Sequence, residues 1–390
     1  MITREAQGLL VRLAAQFKTV AVVGPRQSGK TTLARAVFGQ KPYASLENPD
    51  VRALAVNDPR SFLAQFPDGA ILDEVQRTPE LFSYLQQILD DSPARGRFIL
   101  TGSNNFLLQE TISQSLAGRI AYLNLLPFTL SELPAGAVAD ADDAILKGGY
   151  PSVYDGSTDP AVWFANYVHT YVERDVRQIK NITDLHTFER FLRLCAGRAG
   201  QLLNQSNLAI EVGVDSKTIA SWIGVLESSF VIRLLRPYHA NFNKRVVKMP
   251  KLYFVDTGLA CSLLGISNRK QLALHHLRGE LFENFIVSDI LKRIGHQGGS
   301  TDAWFWRDSK GHEVDLLLEE AGRTLAVEIK SGRTLHSEFF NGLAYWAKLK
   351  GDGTAMLIHG GDALHLRSDG IQVLPWRAMD RLFTILSDKS

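Results

Sequence analysis

The apolar and polar positions of the 390-residue chain fall into three successive patterns. In the first, short apolar runs alternate with helical stretches, and residues 18–24, 43–47, 70–75, 97–102 and about 119–126 read as strands. Alternation of this kind predicts an open α/β sheet. The second pattern is helical. Leu208, Ala209 and Val212 fall on one short helix, Gly213 supplies a tight turn, and Ile219, Trp222, Ile223 and Leu226 repeat at helical spacing on a second helix. This is a helix-turn-helix pattern, and the alternating run at 230–238 reads as the strand of a winged version. The third pattern opens with a helix bearing Leu281, Phe282, Phe285, Ile286, Ile290 and Leu291 on its core face. Two strand-like runs follow, 312–320 and 324–332, joined by a short turn around Gly322. The division expected is 1–165, 166–270 and 271–390.

Polar residues interrupt the first pattern where strands end. Residues 24–31, GPRQSGKT, follow a strand and open a helix, and they satisfy G-x-x-x-x-G-K-[ST] in the setting that motif requires. Gly24 and Gly29 let backbone N–H groups turn toward phosphate oxygens, with Pro25, Arg26, Gln27 and Ser28 forming the loop between them. Lys30 reaches the β- and γ-phosphates, Thr31 offers a hydroxyl to Mg2+, and Thr32 continues the cradle into the helix. The strand at 70–75 ends in Asp73, suited to the Mg2+ shell, and Glu74, suited to polarising the attacking water. The next strand ends in Thr101, Ser103 and Asn104, polar groups placed to sense a γ-phosphate. All lie at carboxyl ends of strands, where open α/β sheets place ligands. ATP with Mg2+ is the expected cofactor, and Glu74 favours hydrolysis over binding alone. Arg119, just before the last strand, suits either a neighbouring subunit's ATP site or a surface turn.

Charge adds a distinction that hydropathy does not make. The net charge is +2, yet residues 161–270 hold 15 Lys/Arg against 8 Asp/Glu, a net of +7, while the flanking segments are each slightly acidic. Such a footprint suits a polyanion, a solvated face or an acidic partner. On the second helix of the helix-turn-helix Ser216, Lys217 and Ser221 point outward, and the run at 236–251 carries Arg236, Lys244, Arg245, Lys248 and Lys251 with Tyr238 and Phe242 between them. The expected partner is DNA, gripped mostly through its backbone by Lys217, Lys244, Arg245 and Lys248, without sequence-specific readout. Arg174, in the amphipathic stretch upstream, suits either a salt bridge or nucleotide sensing. The two cysteines, Cys195 and Cys261, lie outside any metal-ligand spacing. No apolar run approaches the roughly 18 residues of a membrane span, and no signal-peptide pattern opens the chain, so a cytoplasmic protein is expected.

In the third segment, period-two alternation puts Glu313 and Asp315 on one face of their strand and Glu328 and Lys330 on one face of theirs. If the hairpin joins those faces, Asp315 and Glu328 can hold a divalent metal and Lys330 can orient the attacking water beside a phosphodiester.

GPRQSGKTTLA, LDEVQR, LTGSNN, LAGR, GGYP, YVERDV and LYFVDTGL, in this order, resemble a family of prokaryotic AAA-type (AAA+) ATPases over nearly the whole chain. The resemblance implies an α/β fold in three parts: a P-loop AAA+ ATPase domain, a winged helix-turn-helix module and a restriction-endonuclease-like α/β domain. Asp315, Glu328 and Lys330, with Glu283 on the preceding helix, resemble the PD-(D/E)xK nuclease core. RecB-like members add Gln-x-x-x-Tyr, where this chain has Asn341 and Tyr345. The function expected is an oligomeric ATPase, self-associating into a ring such as a hexamer, that couples hydrolysis to remodelling or processing of DNA, branched DNA included. An ATP-dependent endonuclease and a protein-binding switch ATPase are the alternatives.

Overall fold

The computed structural model of the chain describes residues 2–103, 116–156, 158–172, 184–238, 247–299, 301–320, 322–350 and 354–387. Its first sheet contains β1 (Thr19–Val23), β2 (Tyr43–Ser45), β3 (Ile71–Asp73), β4 (Phe98–Gly102) and β5 (Ile120–Asn124), in the order β2-β3-β4-β1-β5. Every pairing is parallel. These are the five strands expected from the apolar runs, each slightly shorter. β1 and β4 are buried throughout, which explains why they read as unbroken apolar runs. The chain leaves β1 for the far edge, returns through β3 and β4, then crosses β1 to reach β5. The carboxyl end of β1 is therefore a topological switch point, and the helix Lys30–Val37 starts there.

The helices Gln205–Val212 and Ser216–Ser228 are joined through Gly213, whose φ of 84° ends the first. Asn204 and Asp215 cap their N-termini, each accepting a bond from the backbone N–H three residues on. The expected inner-face residues Ile219, Trp222, Ile223 and Leu226 are all buried. β6 (Gln201–Leu202), β7 (Ile232–Leu235) and β8 (Lys251–Phe254) complete this segment as an antiparallel sheet in the order β6-β8-β7. Of the amphipathic stretch upstream, the helix Pro160–Tyr167 and a π-turn at Val168–Val172 are described, and its continuation with Arg174 lies outside the described residues.

The third segment begins with the long helix Arg278–Gln297. β9 (Asp302–Arg307), β10 (Glu313–Glu320), β11 (Arg323–Lys330), the helix Asn341–Lys350, β12 (Thr354–His359), β13 (His365–Leu366) and β14 (Gln372–Pro375) follow. The sheet order is β13-β14-β12-β11-β10-β9. β9, β10 and β11 are antiparallel neighbours, whereas β11 and β12 run parallel because the helix Asn341–Lys350 crosses between them.

The second and third segments share one hydrophobic cluster with the end of the first, from Val138 through Phe254 to Leu386. The basic run at 236–251 does not stand free where it is described. Tyr238 N donates to Phe305 O at 2.7 Å, Phe305 N to Arg236 O at 3.1 Å and Val247 N to Arg307 O at 3.1 Å, which lays both ends of the run along β9. An open sheet edge is thereby covered. Among the described residues no helix is long and apolar enough to cross a membrane.

Candidate active site

The loop after β1 folds as its glycines allow. A Cβ on Gly24 would lie 2.1 Å from Leu125 O, so only glycine lets the loop leave β1 beside β5. Gly29, with φ at 92°, turns the chain into the helix Lys30–Val37. Lys30 is buried, and its ammonium donates to Gly24 O at 3.0 Å and Pro25 O at 2.7 Å, curled over the cradle. Asp73 collects hydroxyls: Thr31 at 2.8 Å on Oδ1, Tyr43 at 2.8 Å on Oδ2, and Thr101. The two residues expected to share Mg2+, Thr31 and Asp73, are thus in direct contact. Glu74 has φ at 57°, a left-handed backbone for a non-glycine residue, and its carboxylate accepts from Gln76 Nε2 at 2.5 Å. Gln76 also donates to Ser103 Oγ at 3.2 Å, so it ties Glu74 to the end of β4. Asn104 lies outside the described residues.

Arg26, Gln27, Thr31, Thr32 and Glu74, together with Pro151 of the GGYP stretch and Ser152 after it, line a cleft of about 530 Å³. The fit for a nucleotide phosphate rests on the loop itself. Ser28 Oγ is buried without a hydrogen-bond partner among the described residues, a cation and a helix start face the cleft, and hydroxyl and carboxylate donors for Mg2+ stand together beside it. Arg119 points elsewhere: it forms a two-pronged pair with Asp90, Nε to Oδ1 at 2.5 Å and a terminal nitrogen to Oδ2 at 2.9 Å.

Sequence reasoning missed Arg4. It is buried, and it donates to Ser28 O of the loop at 2.7 Å, to Leu126 O at 2.6 Å and to Glu132 Oε1 at 2.9 Å. Leu126 N in turn donates to His296 Nε2 at 3.1 Å, and Leu130 N to Asp289 Oδ1 at 2.7 Å. The phosphate loop is therefore braced against the helix Arg278–Gln297 through buried polar groups. Burial, with Arg4 and Lys292 nearby, pushes the His296 imidazole down to about 3, so it is neutral at pH 7. Asp256 from LYFVDTGL makes a second brace, accepting from Gly149 N of GGYP at 2.7 Å.

The β10–β11 hairpin brings the expected acidic residues together. The register pairs Leu316 with Val327, and one step on it sets Asp315 opposite Glu328. Asp315 Oδ2 accepts from Ile329 N at 2.8 Å, and Lys330 donates to Glu328 Oε1 at 2.6 Å. Glu283 completes the cluster from the long helix, accepting from Tyr253 OH at 2.6 Å and from Lys251 at 2.8 Å. Burial pushes Glu283 up to about 7 and, with Asp315 adding to the effect, Glu328 up to about 8.

The sequence groups Lys251 with the basic run at 236–251, and the structure corrects this. It is 3% exposed, and its ammonium is paired with Glu283, Glu313 and Asp315 because β8 faces the hairpin. The carboxylates are thus neutralised by ammonium groups in the place where a metal was expected. Among the described residues no group of three or more His, Cys, Asp or Glu is arranged to hold a metal ion. The donor set as it stands does not fit one. Asn341 is exposed, and Tyr345 stacks on His312 at 3.8 Å between ring centroids.

Of the residues read as gripping DNA, Lys217 and Lys248 are exposed, while Lys244 and Arg245 lie outside the described residues. Part of the local surplus of positive charge is turned inward or onto neighbours. Besides Lys251, Arg269 pairs with Asp140 and Arg198 with Glu211.

The parallel sheet, its phosphate loop and the acidic pair after β3 define an AAA-type P-loop ATPase domain, and residues 16–134 match the AAA domain family. Residues 138–270 and 278–379 match two domains of unknown function, DUF8612 and DUF4143. The chain belongs to the family of the uncharacterized proteins Rv2008c of Mycobacterium tuberculosis and Mb2031c of Mycobacterium bovis. It is 33% identical to each over 335 residues, which is 85% of this chain and 74% of theirs. Among solved structures, the Walker-type ATPase PABY2304 of Pyrococcus abyssi is similar over 67% of this chain and 96% of its own, at 13% identity and a TM-score of 0.46.

Proposed function

We propose that this protein hydrolyses ATP and couples the cycle to remodelling or processing of DNA. The observation that carries hydrolysis is Glu74, a carboxylate on the wall of the phosphate cleft, oriented by Gln76 next to the Thr31–Asp73 pair. In this reading the backbone of residues 24–29 and the Lys30 ammonium hold the phosphates, and Thr31 and Asp73 hold Mg2+, which supplies charge neutralisation on the γ-phosphate. Glu74 orients and deprotonates the attacking water, and Ser103 with Asn104 registers the γ-phosphate from β4. Arg119 would act across a subunit boundary in a ring, where it would first have to leave Asp90. Support for DNA comes from the helix-turn-helix geometry and from the exposed Lys217 and Lys248.

A second reading, a switch ATPase that contacts protein, is favoured by one observation. Lys251 and Arg269 spend their charge on carboxylates of this same chain, which reduces what is left for phosphates. The endonuclease alternative would require the carboxylate cluster to open.

One experiment separates the three. ATP turnover is measured with Mg2+ and either no DNA, duplex, single strand or a four-way junction, and the integrity of each DNA is followed in the same tubes. Stimulation by one DNA form without cutting supports the proposal. Cutting lost in Lys330→Ala supports the endonuclease, and indifference to every DNA, with no salt-sensitive gel shift, leaves the switch.

A further inference from the structure

The acidic cluster between β10, β11 and the long helix receives a lysine from a distant part of the chain. Lys251 opens β8, and its backbone is fixed on two sides, opposite Leu235 of β7 and Leu202 of β6. Its side chain is 4% exposed, with the ammonium 2.8 Å from Glu283 Oε1 and 3.6 Å from Asp315 Oδ1, and paired with Glu313 as well. A buried cation with three carboxylate partners is no surface pair, since burial on that scale is tolerated only with full compensation. On the other side of Asp315, Lys330 lies 2.6 Å from Glu328 Oε1 and 3.6 Å from Asp315 Oδ2. The remaining oxygen, Glu328 Oε2, is buried without a hydrogen-bond partner, in a residue 7% exposed. A Cβ on Gly342 would lie 3.0 Å from this oxygen, so it faces the start of the helix Asn341–Lys350.

A Mg2+ ion would draw carboxylate oxygens to about 2.1 Å, and the space between Glu283 and Asp315 where it would sit holds the Lys251 ammonium. We propose that Lys251 is the built-in counter-ion of this cluster and that its ammonium is what closes Glu283, Asp315 and Glu328 to divalent cations. The inference is independent of the ATP and DNA readings, because it concerns the chain without nucleotide.

The test is Mn2+ binding to the full chain in nucleotide-free buffer, followed by electron paramagnetic resonance of the free ion, with the melting temperature measured in parallel. Wild-type protein is expected to show no Mn2+ binding that Asp315→Asn removes. Lys251→Met is expected to bind one Mn2+ per chain at least about tenfold more tightly than wild type, to gain melting temperature with MnCl2, and to lose both in the double variant with Asp315→Asn. An Asp315-dependent Mn2+ in the wild type overturns the proposal, as does a folded Lys251→Met with no gain. If Lys251→Met does not fold in metal-free buffer, it is refolded with MnCl2 beside Lys251→Gln. Rescue of either by Mn2+ supports the proposal, and failure to rescue both overturns it, since a divalent ion then cannot replace the ammonium.

Discussion

The phosphate loop and the carboxylate cluster both gather lysines and acidic residues at strand ends, yet they balance their charges in opposite ways. At the loop, Lys30 lies over backbone carbonyls, Ser28 Oγ has no hydrogen-bond partner among the described residues and Glu74 stands on the wall of a cleft, so the site turns polar groups toward open space. At the cluster, Lys251 and Lys330 supply the counter-charge from within the chain. A site that turns its charges toward a cleft is built to bind. One that matches them is built to hold still, and the same residue types therefore do not carry the same chemistry.

The largest expected effect sharpens the open side of this contrast. Glu74→Gln keeps the shape and the bond to Gln76 but removes the group that takes a proton from water. Steady-state ATP turnover should fall by about 10²- to 10³-fold, while binding of a fluorescent ATP analogue stays within a fewfold of wild type. Loss of binding instead would show that Glu74 holds the loop rather than the water.

On the closed side, Glu283→Ala removes the shared partner of Lys251 and Tyr253 and leaves a buried ammonium short of one carboxylate. Breaking a buried pair from one side costs about 3 kcal/mol. Thermal or urea unfolding should show that loss, while ATP turnover well below the melting temperature is unchanged. A selective drop in turnover without loss of stability would break the contrast, because the cluster would then be part of the motor.

How much of each site was legible in the sequence follows from the same contrast. The loop was readable because Gly24, Gly29, Lys30 and Thr31 are contiguous, and β3 delivers Asp73 by a pattern that covers only a few residues. The Asp315–Glu328 pairing was readable from alternation across one hairpin. Lys251 was not, because its role depends on β8 packing against a hairpin more than 60 residues further on. One signal was available: it opens KLYFV, a run otherwise apolar and buried throughout its strand, and charge in such a run has a partner. Arg4 gave no signal at all, since nothing in MITREAQ says which carbonyl the guanidinium meets. The basic surplus of residues 161–270 counted Lys251 with the rest for a related reason: a count along the chain cannot tell an outward lysine from one paired across a fold.

The seam between the two sites responds to pH in a direction that can be worked out. His296 has its pKa lowered in the folded protein to about 3, against an ordinary 6.5, so the unfolded chain binds more protons between those values. Its contribution to stability is complete above pH 6.5 and is lost as pH falls toward 3, by about 2 kcal/mol between pH 7 and pH 5. His296→Gln should flatten that part of the melting-temperature profile. If the profile is unchanged, the imidazole is not held neutral at the seam, and the brace from Arg4 through Leu126 to the long helix is weaker than its distances indicate.

The smallest expected effect concerns whether the open site is complete in one chain. Arg119 is bound to Asp90 by two hydrogen bonds on an exposed surface, so Arg119→Ala should leave unfolding unchanged. Its effect on turnover depends on assembly. In dilute protein, where each chain works alone, wild type and variant should hydrolyse ATP equally slowly. As concentration rises, wild-type turnover per chain should climb if a neighbour's arginine reaches the γ-phosphate, and the variant should stay at the dilute rate. Parallel curves for the two proteins would assign Arg119 to the Asp90 pair alone, and the open side of the comparison would then be a site that one chain completes by itself.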